Sequence, residues 1–186
     1  ERERKKAEEE GREYVEPKKP NPFKYRLSTT KDVNPEKGFD LEMDLPAVEM
    51  DSAAIMLWRL EGDAKSPKTV PVKRHFVRDT LHMGRWHIEA DWDNNTKYRF
   101  YIPTGAITDI MGYQNDSVTV DLVTYDPEKF ATMKLNVKGV AGRKYIIQQT
   151  NSSGQMQQEL KGIGSGTHAI NFIPAGEIRL RIIEDK

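Results

Sequence analysis

The chain has 186 residues, carries 29 basic and 29 acidic side chains, and contains no cysteine. This length allows one large domain or two small ones. The balanced charge argues against nucleic acid as a partner, because nucleic-acid-binding domains concentrate basic residues on one face. The absence of cysteine excludes disulfides, thiolate zinc sites and cysteine nucleophiles.

Residues 1–22 are rich in Glu, Lys and Arg and are predicted to form a charged linker or a short helix. In a helix, Glu3 with Lys6 and Lys6 with Glu10 stand at spacings that allow ion pairs. No apolar run approaches the ~20 residues of a membrane-spanning helix, and no signal peptide is recognisable. Because the chain begins at Glu1 without an initiator Met, we expect it to be a piece of a longer protein.

From Phe23 onward, apolar residues recur at every second position, which is typical of half-buried strands. Turn-forming residues separate the runs, for example at 34–38 and 93–95. No amphipathic stretch is long enough to form a crossover helix, so the pattern favours an antiparallel sandwich over a parallel α/β sheet. The alternating residues are Phe39, Leu41 and Met43; Ala54, Met56 and Trp58; Val70 and Val72; Trp86, Ile88, Ala90 and Trp92; Tyr98, Phe100 and Ile102; and Val118, Val120 and Leu122.

A boundary is predicted near Asp126 and Pro127, which divides the chain into modules at 23–125 and 127–186. The second module alternates in shorter units and has a hairpin-like turn at 151–154. About five strands are expected, in a small sandwich that is either complete or truncated by one strand. Its alternating residues are Met133, Leu135 and Val137; Tyr145 and Ile147; Met156 and Leu160; Ile170 and Phe172; and Ile178, Leu180 and Ile182.

The first module resembles the bacterial Ig-like domains of cell-envelope proteins. The resemblance rests on Asn34-Pro35, on Leu45-Pro46 with Asp51, and above all on the run at 98–116. In that family a strand is followed by a short segment with the pattern gxxDxxGxxn, which Asp109, Gly112 and Asn115 match, with Gly105 one residue further upstream than the first glycine of the pattern. Asp109 is expected to cap a turn by accepting backbone N–H groups, and Gly112 to occupy a position with positive φ.

The second module resembles transthyretin-like or carboxypeptidase-regulatory-like modules and the related B-type repeats of collagen adhesins. The matching segments are 134–139, 145–147 and 172–181. The sequence departs from the usual pattern because Ala175 is inserted and Ile178 stands where an aromatic residue is usual. Together the two resemblances imply a secreted or outer-membrane-attached protein of Gram-negative bacteria, lipid-anchored through a region upstream of Glu1. They imply no reaction.

For each candidate chemical site, a structural role explains the same residues better. The chain has four histidines, at positions 75, 82, 87 and 168, and none shows the spacing of a zinc site; His87 is expected to face solvent. Asp91, Asp93 and Asn95 resemble the start of a calcium loop but are better explained as a hairpin turn. The carboxylates Asp40, Glu42, Asp44, Glu49 and Asp51 are better explained as the solvent face of a strand than as a glycosidase pair. We therefore predict no catalytic residue, no metal and no cofactor.

Twelve large apolar residues are predicted to form the cores of the two modules. Carbohydrate stacking is a second explanation for Trp58, Trp86 and Trp92, although Trp86 and Trp92 share a predicted core face. Tyr101, Tyr113 and Tyr125 are better placed as ligand-binding candidates. The predicted core comprises Phe39, Leu41, Met56, Trp58, Trp86, Ile88, Phe100, Val120, Leu135, Ile147, Phe172 and Leu180.

Three functions fit these observations. The first is a non-catalytic spacer or adhesion-type scaffold of an extracytoplasmic bacterial protein, with packing as the role of the core residues. The second is a carbohydrate- or protein-binding module that uses a sheet face or loops, with a glycan or an envelope protein as partner. The third is an accessory domain of an enzyme whose catalytic part lies outside these residues.

Overall fold

A computed structural model describes Gly11 and residues 21–63, 65–138 and 142–185, and its regular elements are almost all strands. A 3₁₀ turn at Pro127–Lys129 is the one helical element in these ranges, which confirms the all-β prediction. The predicted helical pairs Glu3–Lys6 and Lys6–Glu10 fall outside the described residues. The strands are β1 (Tyr25–Leu27), β2 (Asp32–Val33), β3 (Phe39–Met43), β4 (Ala47–Met50), β5 (Met56–Glu61), β6 (Lys68–Pro71), β7 (Arg74–Arg78), β8 (Arg85–Ala90), β9 (Lys97–Ile102), β10 (Ile107–Asp109), β11 (Val118–Thr124), β12 (Ala131–Val137), β13 (Lys144–Asn151), β14 (Met156–Ile163), β15 (Gly166–Ile173) and β16 (Ile178–Asp185).

The strands before residue 126 form two main sheets that share one core. One sheet has the order β1-β3-β8-β7 and the other the order β2-β11-β9-β5-β6, while β10 and β4 form a separate pair. All ladders in these sheets are antiparallel except the pairing of β2 with β11, which is parallel. Phe39 of the first sheet meets Phe100 of the second edge to face, with ring centroids 5.2 Å apart. The arrangement is that of a β-sandwich.

The register of β5 differs from the prediction. Ile55 and Leu57 are fully buried, whereas Met56 and Trp58 lie on the opposite face and are only partly buried. Leu57 pairs with Phe100, whose side chain is also in the core. The assignment of Met56 and Trp58 to the core was therefore wrong, because neighbouring residues of a strand point to opposite faces and a slip of one position exchanges them.

The two tryptophans of the β8 region pack against the core, although they do not belong to one strand. Trp86 lies in β8, but this strand ends at Ala90 and Trp92 follows it. Both rings are partly buried against the central cluster. Trp92 contacts Phe39 and Tyr98, with ring centroids 6.0 and 4.8 Å apart. Their prediction as core-packing residues is confirmed, with the single strand corrected.

The strands after residue 130 form two smaller sheets with the five strands that the sequence predicts. One sheet has two strands, β12 and β15, and the other has three in the order β14-β13-β16. Ile147 and Ile170 are buried, Leu135 is partly buried, and Phe172 is buried with its ring against Tyr125 and Phe130. Leu180 is 41% exposed, so its assignment to the core was wrong. It points to the inner face, but none of the strands in the described ranges covers it.

The segment that carries the resemblance to Ig-like domains is a tightly bonded turn. The buried carboxylate of Asp109 accepts the N–H groups of Met111 and Tyr113 at 2.8 and 3.0 Å, and Gly112 has φ of +83°. Asn115 is buried as well; its Oδ1 accepts the Ile107 N–H at 2.7 Å, and its Nδ2 donates to two carbonyl groups. The predicted roles of Asp109 and Gly112 are confirmed.

Candidate functional site

The three candidate tyrosines lie on three different elements. Tyr101 is in the middle of the five-stranded sheet, Tyr113 is in the loop after β10, and Tyr125 follows the last residue of β11. No two of their rings stack on each other within the described residues, because each has other neighbours. They do not form a single binding site.

Tyr101 belongs to an aromatic patch on the outer face of the five-stranded sheet. Its ring stacks on Trp58, with centroids 6.1 Å apart and planes at 26°. Arg99, which pairs with Trp58 across the ladder, makes a two-pronged ion pair with Asp121 at 2.7 and 2.8 Å. These hydrogen bonds hold the pKa of Asp121 below its ordinary value. The patch thus combines two flat rings with a fixed charged pair.

Tyr125 forms an aromatic joint between the two halves of the chain. Its ring stacks on Phe130 with centroids 4.5 Å apart, and Phe172 lies 5.8 Å from Tyr125 and 5.9 Å from Phe130. We call these three residues the aromatic joint. Between Tyr125 and Phe130 the chain forms the 3₁₀ turn, which is capped by the side chain of Asp126, whose Oδ1 accepts the Glu128 N–H at 3.1 Å. The joint therefore connects the end of β11 directly to β15.

A β-bulge in β15 directs two side chains toward the junction, the region where the two halves of the chain meet around the aromatic joint. The ladder between β12 and β15 shifts register here, so that Asn171 and Phe172 together stand opposite Thr132. Phe172 adopts φ of +54°, a left-handed conformation that bulky residues rarely take. Such an outlier persists only where surrounding contacts hold it, as the joint does for this ring. The strain thus lies at the junction.

Polar contacts supplement the aromatic joint. Asn171 Nδ2 donates to Glu36 Oε1 at 2.7 Å, and Lys37 Nζ donates to the Gln157 carbonyl at 3.1 Å. Burial lowers the pKa of the Lys37 ammonium group. Both contacts join the turn before β3 to strands of the C-terminal sheets. Side chains from both halves therefore take part in the same junction.

Beside the joint lies a cleft of about 810 Å³ that both halves line. His87 and Asp40 project into it from neighbouring strands, with Nδ1 and Oδ1 2.6 Å apart. His87 lies on the outer face of its sheet, as predicted, but it is paired with Asp40. Glu159 and Lys161 of β14 form the opposite wall. This is a polar and charged cleft, and its described lining residues include no Ser, Thr, Cys or Tyr.

The remaining carboxylates and histidines mostly have structural partners. Glu42 is bonded to Arg26 and Arg85, and although desolvation opposes the effect, these bonds hold its pKa below the ordinary value. Asp93 pairs with Arg59 at 2.6 Å in a turn where Asn95 has φ of +48°. Among the residues that the structure describes, no three His, Cys, Asp or Glu side chains converge as a metal site would require.

The chain matches no protein-family model, and a search of the curated proteins finds no similar sequence. Within the described ranges, no helix has the length and apolar character needed to cross a membrane.

Several residues of the junction were not identified from the sequence. Phe130 was not assigned a role, and Phe172 was assigned to a module core only. Glu36 and Asn171 gave no signal, because their contact joins residues 135 positions apart. The one available signal was the pair of aromatic residues, Tyr125 and Phe130, that flank the predicted boundary at Pro127.

Proposed function

We propose that this chain is a non-catalytic spacer or adhesion-type scaffold of a bacterial extracytoplasmic protein. In this proposal an Ig-like sandwich at 23–125 is followed by a smaller transthyretin-like sandwich at 127–186, and a lipid anchor upstream of Glu1 attaches the protein to the envelope. The resemblance of the segment 98–116 to envelope Ig-like domains supports the class and the compartment.

The single observation that carries the proposal is the aromatic joint. A spacer must hold its ends at a defined separation, and a linker that moves freely would defeat this purpose. Here the connection is short, its 3₁₀ turn is capped by Asp126, and three rings pack across it. Aromatic pairs of this geometry stabilise by about 0.5–1.5 kcal/mol beyond the area they bury. Together with the Asn171–Glu36 bond, they restrict bending between the halves.

A solution-scattering experiment tests the proposal. The unmodified chain should give a narrow distribution of interatomic distances that agrees with one orientation of the halves. Phe130→Ala removes the central ring of the joint and should broaden the distribution and increase the radius of gyration. Tyr113→Ala is the matched control, since it removes an aromatic ring from an exposed loop away from the joint. Identical curves for Phe130→Ala and the unmodified chain would contradict a joint that fixes the orientation.

Glycan binding is a second candidate, and the stack of Trp58 on Tyr101 favours it. Flat rings on a sheet surface can pack against the apolar face of a sugar, and the Arg99–Asp121 pair provides hydrogen-bonding groups beside them. A panel of bacterial polysaccharides and host glycans, read by thermal shift, tests this, because a ligand that binds only the folded state raises Tm. A rise that Trp58→Ala abolishes would support glycan binding, and flat curves at millimolar sugar would contradict it.

A further inference from the structure

The two C-terminal sheets differ by one strand. The sheet β14-β13-β16 has three strands and the facing sheet has two, β12 and β15. Gln158 of β14 donates to the Asn171 carbonyl of β15 at 2.7 Å, which places β14 opposite β15. Residues of β12 line a groove together with residues of β13 and β16, which places β12 over the middle of the larger sheet. The position opposite β16 has no strand in the described residues.

The uncovered position is an apolar groove of about 320 Å³. Leu180 is 41% and Ile182 64% exposed on its floor. Both side chains point inward, because Ile182 pairs with the buried Ile147 and Leu180 with the buried Gln149 across the ladder. The apolar lining consists of Leu135, Val137, Tyr145, Ile147, Leu180 and Ile182. These residues form an apolar face that no strand of the described part of the chain covers.

We propose that this groove binds an extended strand of a partner polypeptide. The strand pairs with the free edge of β12 and makes the smaller sheet three-stranded. Its inward side chains are branched aliphatic residues that cover Leu180 and Ile182, and its outward side chains are acidic. The mode is β-strand addition, in which main-chain hydrogen bonds supply affinity and alternate side chains supply specificity.

The backbone of β12 provides the hydrogen-bonding groups for this pairing. β12 has seven residues and pairs with β15 along one edge only within the described chain. The other edge therefore presents N–H and C=O groups that no described strand satisfies, and such an edge is a template for another strand. A strand of five to seven residues would match the length of β12, which is the usual strand length.

Charge complementarity specifies the acidic outward residues. The segment 131–138 carries Lys134 and Lys138 and no acidic residue. Lys134 is exposed on the outer face of β12, and no described carboxylate forms an ion pair with it. An acidic residue beside Lys134 on the added strand would stabilise the pairing, because opposite charges across a ladder attract. A second copy pairing through its own β12 would instead bring lysines together, which disfavours self-association.

The test is a binding titration of the full chain with a labelled nine-residue peptide of alternating valine and glutamate. Fluorescence anisotropy should report saturable binding. The same peptide with a central proline should bind at least about tenfold more weakly, because proline removes a ladder donor. A peptide with lysine in place of glutamate should also bind more weakly.

Two substitutions on one strand locate the site. Ile182→Glu places a carboxylate on the groove floor, whereas Ile183→Glu adds the same charge on the opposite face of β16. Both side chains are already exposed, at 64% and 40%, so both variants should fold. We expect Ile182→Glu to weaken peptide binding at least about tenfold and Ile183→Glu to change it less than about twofold.

Three outcomes would overturn the proposal. Absence of binding by the folded chain would exclude an acidic, aliphatic strand as the occupant. Equal binding by the Ile182→Glu and Ile183→Glu variants would place the peptide outside the groove. A dimer of the unmodified chain that only Ile182→Glu dissociates, detected by analytical ultracentrifugation, would make a second copy the occupant. None of these outcomes depends on the orientation of the two halves.

Discussion

Replacing Leu57 with alanine should destabilise the N-terminal sheets much more than replacing its neighbour Met56. Leu57 is fully buried and pairs with Phe100 in the core, whereas Met56 lies on the outer face of the same strand. Truncation of a buried leucine to alanine costs about 2–5 kcal/mol, through lost transfer free energy and the cavity that remains. Met56→Ala should cost less than about 1.5 kcal/mol, because its side chain is only partly removed from water.

Urea denaturation followed by tryptophan fluorescence measures this difference. All three tryptophans lie at positions 58, 86 and 92, so the signal reports on the N-terminal sheets alone. With an m-value of about 2 kcal/mol/M, a loss of about 3 kcal/mol lowers the midpoint by about 1.5 M. The slope should be unchanged in both variants. A larger shift for Met56→Ala than for Leu57→Ala would refute the register assigned to β5.

Three further predictions concern single residues of the N-terminal sheets. Gly38→Ala should lower the free energy of unfolding by more than about 2 kcal/mol, because φ is +67° and the new Cβ would lie 2.1 Å from the Ile88 carbonyl oxygen. An unchanged urea midpoint for this variant would contradict this close approach. Asn115→Ala should lower the free energy of unfolding by about 3 kcal/mol in the same assay, since it removes the partner of the buried Ile107 N–H and the amide that donates to two carbonyl groups; a loss below about 1 kcal/mol would contradict this role. The pKa of Glu42 is held below its ordinary 4.5, so its stabilising effect is present at neutral pH and is lost as the pH falls through the lowered value. At neutral pH, Glu42→Gln should therefore have a lower free energy of unfolding than the unmodified chain. As the pH falls, its free energy of unfolding should decrease less than that of the unmodified chain. Parallel pH profiles of the two proteins would contradict a stabilising role of the Glu42 carboxylate.

The sequence predicts the strands whose alternation is clear. Phe39 and Leu41, like Tyr98 and Phe100, alternate with polar residues, and their burial is as predicted. The region 53–58 is apolar at every position, so a period of two does not define which set faces inward. The larger aromatic, Trp58, was assigned to the core, but the structure buries the branched aliphatic set.

Contacts between distant residues could not be predicted, since no local pattern encodes them. The strands β1, β4, β7 and β10 have only three to five residues, too few for alternation alone to define them, and they form through pairing with neighbours. The positive φ of Phe172 likewise has no signal in its sequence, because its cause is the packing of Tyr125 and Phe130 against the bulge. Alternation correctly gave the face of Leu180, but it carries no information about whether another strand covers that face.

The parallel pairing of β2 with β11 has a mechanical consequence. β2 lies near the beginning of the N-terminal sheets and β11 at their end, and the two are joined by backbone hydrogen bonds from Val123 and Tyr125 to Lys31 and Val33. Tension between the two ends of this region pulls β2 and β11 in opposite directions along their common axis. Both bonds are then loaded together in shear, and one cannot open before the other as in a zipper. A protein that is pulled lengthwise would resist extension at this point first.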